Sequence, residues 1–305
     1  MHDVIIIGAG PAGYTAGIYC ARARHDTLLI SGILPGGQLM NTTDVENYPG
    51  FSDGIMGPDL MTVMRKQTEK MGTKIIDDEV TSVDFKNNPL KVKTASEEFE
   101  ARAVIVCTGA NPRKIGLDGE QTFAGKGVSY CATCDGAFFR DQELIVVGGG
   151  DSAMEEAIFL TKFASVVHIV HRKGEFRASK IMQERALSNE KIKIHFNSTV
   201  KEIHGDQKFQ QVVLNNTKTN EDKILEAGGL FIAIGHEPNS TIFQDQIELD
   251  GNGYIIIKNN TETSVTGVFC AGDVHDHRYR QAVTAAGFGC MAAIDVDKYL
   301  SESDT

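Results

Sequence analysis

The chain has 305 residues, enough for two domains with buried cores, and 41% hydrophobic with 23% charged residues is an ordinary globular composition, which excludes a disordered chain. Thirty Lys and Arg against 41 Asp and Glu leave a formal net charge of −11, which argues against nucleic-acid partners, whose binding rests on clustered cations neutralising phosphates. No apolar run approaches the roughly 18 residues of a membrane span, and Met1-His2-Asp3 leads into the first apolar run without a basic signal-peptide head, so a cytoplasmic protein with no membrane partner is expected.

The first element is a strand at Val4 to Ile7, followed by Gly8-Ala9-Gly10-Pro11-Ala12-Gly13, which opens a helix. Glycines belong where the backbone turns tightly, lets a pyrophosphate approach and packs helix on strand, so Gly8, Gly10, Pro11, Ala12 and Gly13 are candidate cofactor-binding residues. A second strand, Thr27 to Ile30, runs into Ser31-Gly32 without the acidic residue that receives an NAD ribose. A long loop, Gly36-Gly37-Gln38 through Asn47-Tyr48-Pro49-Gly50, precedes a helix over 57–71, further strands, and a strand at Ala103 to Cys107 ending in Thr108-Gly109-Ala110.

Next comes Cys131-Ala132-Thr133-Cys134-Asp135. Six cysteines in a reducing cytosol are no disulfide framework, so a CxxC there reads as redox chemistry or metal ligation. Structural zinc needs four ligands, and neither a second CxxC nor a suitably spaced CxxH accompanies this pair, so no metal is expected. Cys20, Cys107, Cys270 and Cys290 stand alone inside predicted strands or helices and read as core.

After a strand at Leu144 to Val147 the glycine turn recurs as Gly148-Gly149-Gly150-Asp151-Ser152-Ala153. One such turn is weak evidence; two in strand-to-helix context are much stronger. Here the second strand, Val166 to Val170, ends at His171-Arg172-Lys173 with Arg177 close behind, which offers cations and no carboxylate and so suits a 2′-phosphate. Gly229 to Gly235 closes this stretch, and short proline-bearing crossings lie near Asn111-Pro112 and Glu237-Pro238-Asn239. The closing segment Val268-Phe269-Cys270-Ala271-Gly272-Asp273 reads as a strand with Asp273 at its C-terminal end, followed by a helix from about Arg280 to Leu300, rich in small residues and with a dipole favouring negative charge at its start. The fold class is α/β, with two Rossmann-like nucleotide-binding domains, the second inserted into the first: 1–113 and 241–305 form one domain, 114–240 the other.

The two turns, the Cys131 to Asp135 run, the His171 to Arg177 run and Ala271-Gly272-Asp273 together resemble the bacterial low-molecular-weight thioredoxin reductases along nearly the entire chain. The resemblance implies an FAD domain holding an inserted NADPH domain, a homodimer, and electrons passing from NADPH through FAD and a Cys131–Cys134 disulfide to thioredoxin. It implies FAD contacts at Ser31, Gly36, Gly37, Gln38, Asn47 and the stretch Gly272, Asp273, Arg280, Gln281, Ala282. It implies NADPH contacts around Gly148, Gly150, Asp151, Ser152 and Ala153 and at His171, Arg172, Lys173 and Arg177. The family usually has Arg where Lys173 stands; lysine keeps the charge but loses the planar fork. In the family the cysteine matching Cys134 lies nearer the flavin, the one matching Cys131 attacks the partner, and the residue matching Asp135 serves as acid or base, although an Asp after Cys is also a common helix-start residue. By the same resemblance the inserted domain rotates about the segments near Pro112 and Pro238. The rival readings are a flavin-dependent dithiol oxidase acting on a small molecule, against which the basic run argues, and a redox sensor without turnover, which would share every motif.

Overall fold

The structure, a computed structural model, describes residues 1–303. In chain order it begins with β1 (His2–Ile7), α1 (Pro11–Arg22), β2 (Thr27–Ile30), β3 (Asp44–Val45), β4 (Ile55–Met56), α2 (Gly57–Met71), β5 (Lys74–Ile76), β6 (Val80–Asp84), β7 (Leu90–Thr94), β8 (Glu98–Val106) and β9 (Ala110–Pro112). It continues with α3 (Asp118–Thr122), β10 (Val128–Ser129), α4 (Ala132–Asp135), β11 (Glu143–Val147), α5 (Asp151–Leu160), β12 (Val166–Val170), α6 (Lys180–Leu187), β13 (Ile192–His195), β14 (Ser198–Gly205), β15 (Phe209–Asn216), β16 (Asp222–Glu226) and β17 (Gly229–Ile232). The last elements are β18 (His236–Pro238), β19 (Val268–Cys270) and α7 (Ala282–Ser303). Two compact units result: Met1–Asn111 joined by the chain from His236 onward, and Pro112–Gly235.

In the first unit β5, β2, β1 and β8 lie side by side, all parallel. The nine-residue β8 serves two neighbours on its far edge: residues 98–101 pair antiparallel with β7, and residues 104–106 pair in parallel with β19. Covered on both faces, the central strands are continuous apolar runs. Val4, Ile6, Leu29 and Ile105 join Tyr14, Leu60, Met61, Ala292 and Val296 of α1, α2 and α7 on one side, while Ile5, Ile7, Leu28, Val104 and Val106 join Phe243, Val268 and Cys270 on the other. Small residues let α7 press onto α1, because a Cβ on Gly289 would collide with the Ala12 carbonyl. α2 stops at Gly72, whose φ of +112° only glycine adopts cheaply.

In the second unit the parallel order is β13, β12, β11, β17, β10, with β14, β15 and β16 forming a separate antiparallel meander. Leu144, Val146, Val167 and Ile169 pack toward α5 and α6, and Ile145, Val170, Leu230 and Ile232 toward the meander. Both units therefore share one plan: third strand, second, first, fourth, fifth, with an antiparallel excursion before the fourth. They differ in where the fifth strand comes from. In the first unit it is the late strand β19; in the second it is β10, which precedes the first strand in the chain and leads straight into Cys131.

Cys20, Cys107 and Cys270 are buried, and burial pushes the Cys20 thiol up to about 12. Cys290 corrects the expectation of four core cysteines: it is partly exposed beside the Tyr19 hydroxyl, off the buried stripe of α7 that runs through Ala285, Ala286, Gly289, Ala292, Ala293 and Val296. Among the described residues no helix is long and apolar enough to cross a membrane.

Candidate nucleotide sites and redox disulfide

The first glycine turn closes tightly on its surroundings. Gly8 has φ +109°, and a Cβ there would collide with the Cys107 carbonyl; a Cβ on Gly13 would strike the Gly8 carbonyl. Gly10 differs, since a Cβ on it would meet nothing within 4 Å, so open space lies over the start of α1, which begins with Pro11 and has no side-chain cap. The loop at Gly36-Gly37 (φ +102° and +63°) is drawn to this turn by the Gly36 N–H donating to the Ala9 carbonyl at 3.0 Å, and a Cβ on Gly37 would lie 3.7 Å from the Gly10 Cα. Gln38 donates to Asn111 at 2.6 Å. Gly272 (φ +82°) lies against Ala12, where an added Cβ would come within 3.0 Å of the alanine methyl.

Asp273 follows, and its Oδ1 is buried with no hydrogen-bond partner among the described residues. Burial pushes this carboxyl up to about 7, with Asp276 adding to the rise and Arg280 opposing it. An unsatisfied buried acceptor costs about 1–3 kcal/mol, which a ligand hydroxyl would relieve. Asp276 organises the next loop, its carboxylate accepting from the N–H groups of Arg278, Tyr279 and Arg280. Arg280, at φ +49°, places its guanidinium 2.6 Å from His236 Nδ1, and burial and that cation lower the His236 pKa to about 4. Asn47 donates to Gln281 at 3.3 Å, just before Ala282 opens α7. Open space over Gly10, a lone buried acceptor at Asp273 and a cation at Arg280 fit a dinucleotide such as FAD.

Sequence reasoning missed what stands at the end of β2. The Ser31 hydroxyl donates at 2.9 Å to Asp77, which follows β5 and is gripped by both Arg65 Nη atoms at 2.8 and 3.0 Å. Arg65 holds the Asp77 carboxyl below the usual carboxylate range. A carboxylate thus reaches the second strand from the neighbouring one, and the acidic pair Asp77-Asp78 directly after Ile75-Ile76 was the available signal.

The second turn repeats the logic. A Cβ on Gly148 would collide with the Ala233 carbonyl and the Ala153 methyl, and one on Gly149 would run into the His171 ring, whereas Gly150, the uncapped start of α5, again has nothing within 4 Å. The Gly149 carbonyl accepts from the N–H groups of Arg177 and Ala178 at 2.8 and 3.2 Å. Asp151 accepts from the Ser179 N–H and hydroxyl at 2.8 and 2.7 Å. The cationic loop is thereby latched to the glycine turn, with Arg172, Lys173 and Arg177 exposed. His171 is buried, stacks near Phe176, and has an Nε2 without a partner among the described residues; burial lowers its pKa and keeps the ring neutral. Ser152 lies in the first turn of α5, half-buried. Open space, an orphaned imidazole nitrogen and three cations fit a phosphorylated nicotinamide nucleotide.

Cys131 and Cys134 are disulfide-bonded, with Cα atoms 5.3 Å apart. Cys131 is half-buried and Cys134 exposed, and the Cys134 N–H points at the Cys131 Sγ at 3.2 Å. Asp135 ends the short α4 and caps no helix; instead its Oδ2 accepts from the Ser129 hydroxyl at 2.6 Å. Burial pushes the Asp135 carboxyl upward and the Ser129 hydroxyl pulls it back. Upstream, Glu120 is buried and accepts from the Tyr130 hydroxyl at 3.0 Å and the N–H groups of Ile115 and Gly116 at 3.0 and 2.7 Å, fixing the approach to Cys131.

A disulfide that can be reduced, held in a unit with its own nucleotide turn and joined to a second nucleotide-binding unit, defines a nucleotide-dependent disulfide oxidoreductase. The chain belongs to the pyridine nucleotide-disulphide oxidoreductase family, whose sequence model matches residues 2–289. Within it, the chain is 54% identical to the thioredoxin reductase of Streptomyces clavuligerus over 99% of this chain and 94% of that protein. The solved thioredoxin reductase of Streptococcus pyogenes MGAS5005 matches with 44% identity and a TM-score of 0.94 over 99% of each chain. That of Lactococcus lactis in its FR conformation matches with the same 44% identity but a TM-score of 0.67, over 99% of this chain and 100% of that one.

Proposed function

We propose that the protein is an NADPH-dependent thioredoxin-disulfide reductase, a flavoprotein that passes two electrons from NADPH through FAD and the Cys131–Cys134 pair to thioredoxin. The observation that carries this reading is the disulfide with its Asp135–Ser129 hydrogen bond, built into a unit whose glycine turn is latched to a cationic loop. Its cofactors are FAD and NADPH. FAD belongs to the domain made of 1–113 and 241–305, where Gly10 leaves room for a pyrophosphate, Asp273 accepts a hydroxyl and Arg280 supplies positive charge. NADPH belongs to 114–240, where Gly150 leaves room for its pyrophosphate and Arg172, Lys173 and Arg177 neutralise its 2′-phosphate. FAD, when bound, turns a hydride donor into a source of electron pairs for a disulfide. The chain's own part is to hold the dithiol, let Cys131 attack the partner's disulfide, and move a proton through Asp135.

We also place the enzyme in the cytoplasm as a homodimer; apolar side chains left exposed by α1 and α7, among them Tyr19, Val283, Met291 and Ile294, support the second statement. Purified protein is expected to be yellow and, with NADPH, to reduce a disulfide dye only when thioredoxin is added. Oxygen consumption with a small dithiol in place of NADPH would establish the oxidase reading, and absence of any turnover the sensor reading.

Since the nicotinamide site and the disulfide share one unit, each must come in turn within roughly 3–3.5 Å of the flavin, which calls for rotation about the crossings near Pro112 and Pro238. The unequal match of two relatives of equal identity supports this. An engineered covalent lock between the units is expected to spare one half-reaction and abolish thioredoxin turnover; full turnover under the lock rules the rotation out.

A further inference from the structure

β10 is two residues long, and its second residue, Ser129, is 4% exposed. A serine hydroxyl has one proton to give and two lone pairs with which to accept. Here Ser129 Oγ donates to Asp135 Oδ2 at 2.6 Å and accepts the Cys131 N–H at 3.1 Å, while the other acceptor within reach, the Cys131 carbonyl, is farther away at 3.4 Å. One buried hydroxyl thus ties the backbone of one cysteine to the carboxyl that follows the other. The CxxC pattern gives no hint of it, because Ser129 lies outside the motif.

We propose that Ser129 is a positioning residue for disulfide exchange, holding Asp135 and Cys131 in a fixed relation and giving Asp135 a hydrogen bond that strengthens when the carboxyl ionises. The proposal rests on the reductase reading above. In the exchange, Cys131 as thiolate attacks one sulfur of the partner's disulfide; a mixed disulfide forms, the partner's S–S bond breaks, and its departing sulfur takes a proton from Asp135. The Ser129 hydroxyl then donates to the carboxylate left behind. Asp135 regains a proton from the Cys134 thiol, which attacks Cys131 Sγ, re-forming the Cys131–Cys134 disulfide and releasing the partner's second sulfur. Two electrons and one proton have moved from the dithiol to the partner, whose second sulfur leaves as the thiolate, matching the thiolate with which Cys131 began.

The surroundings leave this task to Ser129. α4 and the turn after it meet α5 through Ala132 and Gly136, the latter facing the apolar side chains of Leu160, Phe159 and Phe163. Glu120 is engaged with Tyr130 and two backbone N–H groups. Burial raises the Asp135 carboxyl, and Ser129 alone opposes the rise.

Ser129→Ala is expected to lower kcat for thioredoxin reduction about 10-fold at unchanged KM, a fraction of what full loss of acid–base help costs. The limb of the pH profile that reports Asp135 should move upward, while NADPH-driven bleaching of the flavin stays unchanged. Ser129→Thr should restore both rate and profile, and Ser129→Val, isosteric with it, should not; this pair also serves if the alanine variant fails to fold. In an Asp135→Asn background the Ser129→Ala loss should vanish, since both act through one group. A slower enzyme with an unmoved pH profile, no rescue by threonine, or additive losses in the double variant would overturn the proposal. Absence of thioredoxin turnover in the unmodified enzyme would instead strike the reductase reading.

Discussion

Cys131→Ser is expected to abolish thioredoxin reduction, a loss on the order of 10⁴-fold or more, as follows from removing a nucleophile, while NADPH still bleaches the bound flavin. The asymmetry comes from chemistry that only one sulfur can begin. A serine hydroxyl at 131 cannot form a mixed disulfide with the partner, but its loss leaves both nucleotide turns untouched, since neither Gly148 to Ala153 nor Gly8 to Gly13 leans on the cysteine pair for its shape. Cys134→Ser should be equally inactive in turnover yet trap a mixed disulfide between Cys131 and a thioredoxin lacking its resolving cysteine, because nothing remains to attack Cys131 Sγ. Mass spectrometry of the trapped species and rapid-mixing absorbance of the flavin read the two expectations separately. Turnover at the unmodified rate in either variant would remove this disulfide from the mechanism.

Replacing Arg172 and Arg177 together by Ala is expected to raise the KM for NADPH roughly 10- to 100-fold, since hydrogen bonds to charged groups contribute about 1.5–3 kcal/mol each and solvent exposure reduces that share, and to leave the KM for NADH nearly unchanged. Both side chains are exposed, whereas the backbone that carries Arg177 is fixed through its N–H to the Gly149 carbonyl. The loss should therefore be of charge and not of loop geometry, and raising the salt concentration should shrink the difference between the original and altered enzymes. Equal use of NADH and NADPH by the unmodified enzyme would defeat the assignment of this loop.

Much of the fold was legible because its central strands are buried on both faces and cannot hide: the apolar runs at Thr27 to Ile30 and Val166 to Val170 are the strands observed, and the helix expected over 57–71 is α2. The ends of the inserted stretch were less so. The compact units divide at Asn111/Pro112 and Gly235/His236, somewhat earlier in the chain than 113/114 and 240/241, because β9 and β18 pair with each other and no local pattern reveals a strand pair so far apart in sequence. The glycine turns were legible as turns, but the partners that shape their surroundings come from elsewhere. Asp77 reaches Ser31, Gln281 reaches Asn47 and Ser179 reaches Asp151, and each bond joins residues whose neighbourhood only the folded chain creates. Cys290 was misjudged for a related reason, since a lone cysteine in a helix carries no mark of which face it occupies.

The early arrival of β10 as the fifth strand of its sheet has a consequence for traffic. β10, β17 and β11 run parallel, so the chain leaves β10 for Cys131 and leaves β11 for Gly148 at the same edge of one sheet, with a single strand between the two exits. The turn proposed to seat the reductant and the disulfide thus lie on one rim of one sheet. Under the proposed rotation, a turn that brings one forward carries the other away, so loading and delivery would alternate, as with two doors cut into the same revolving wall.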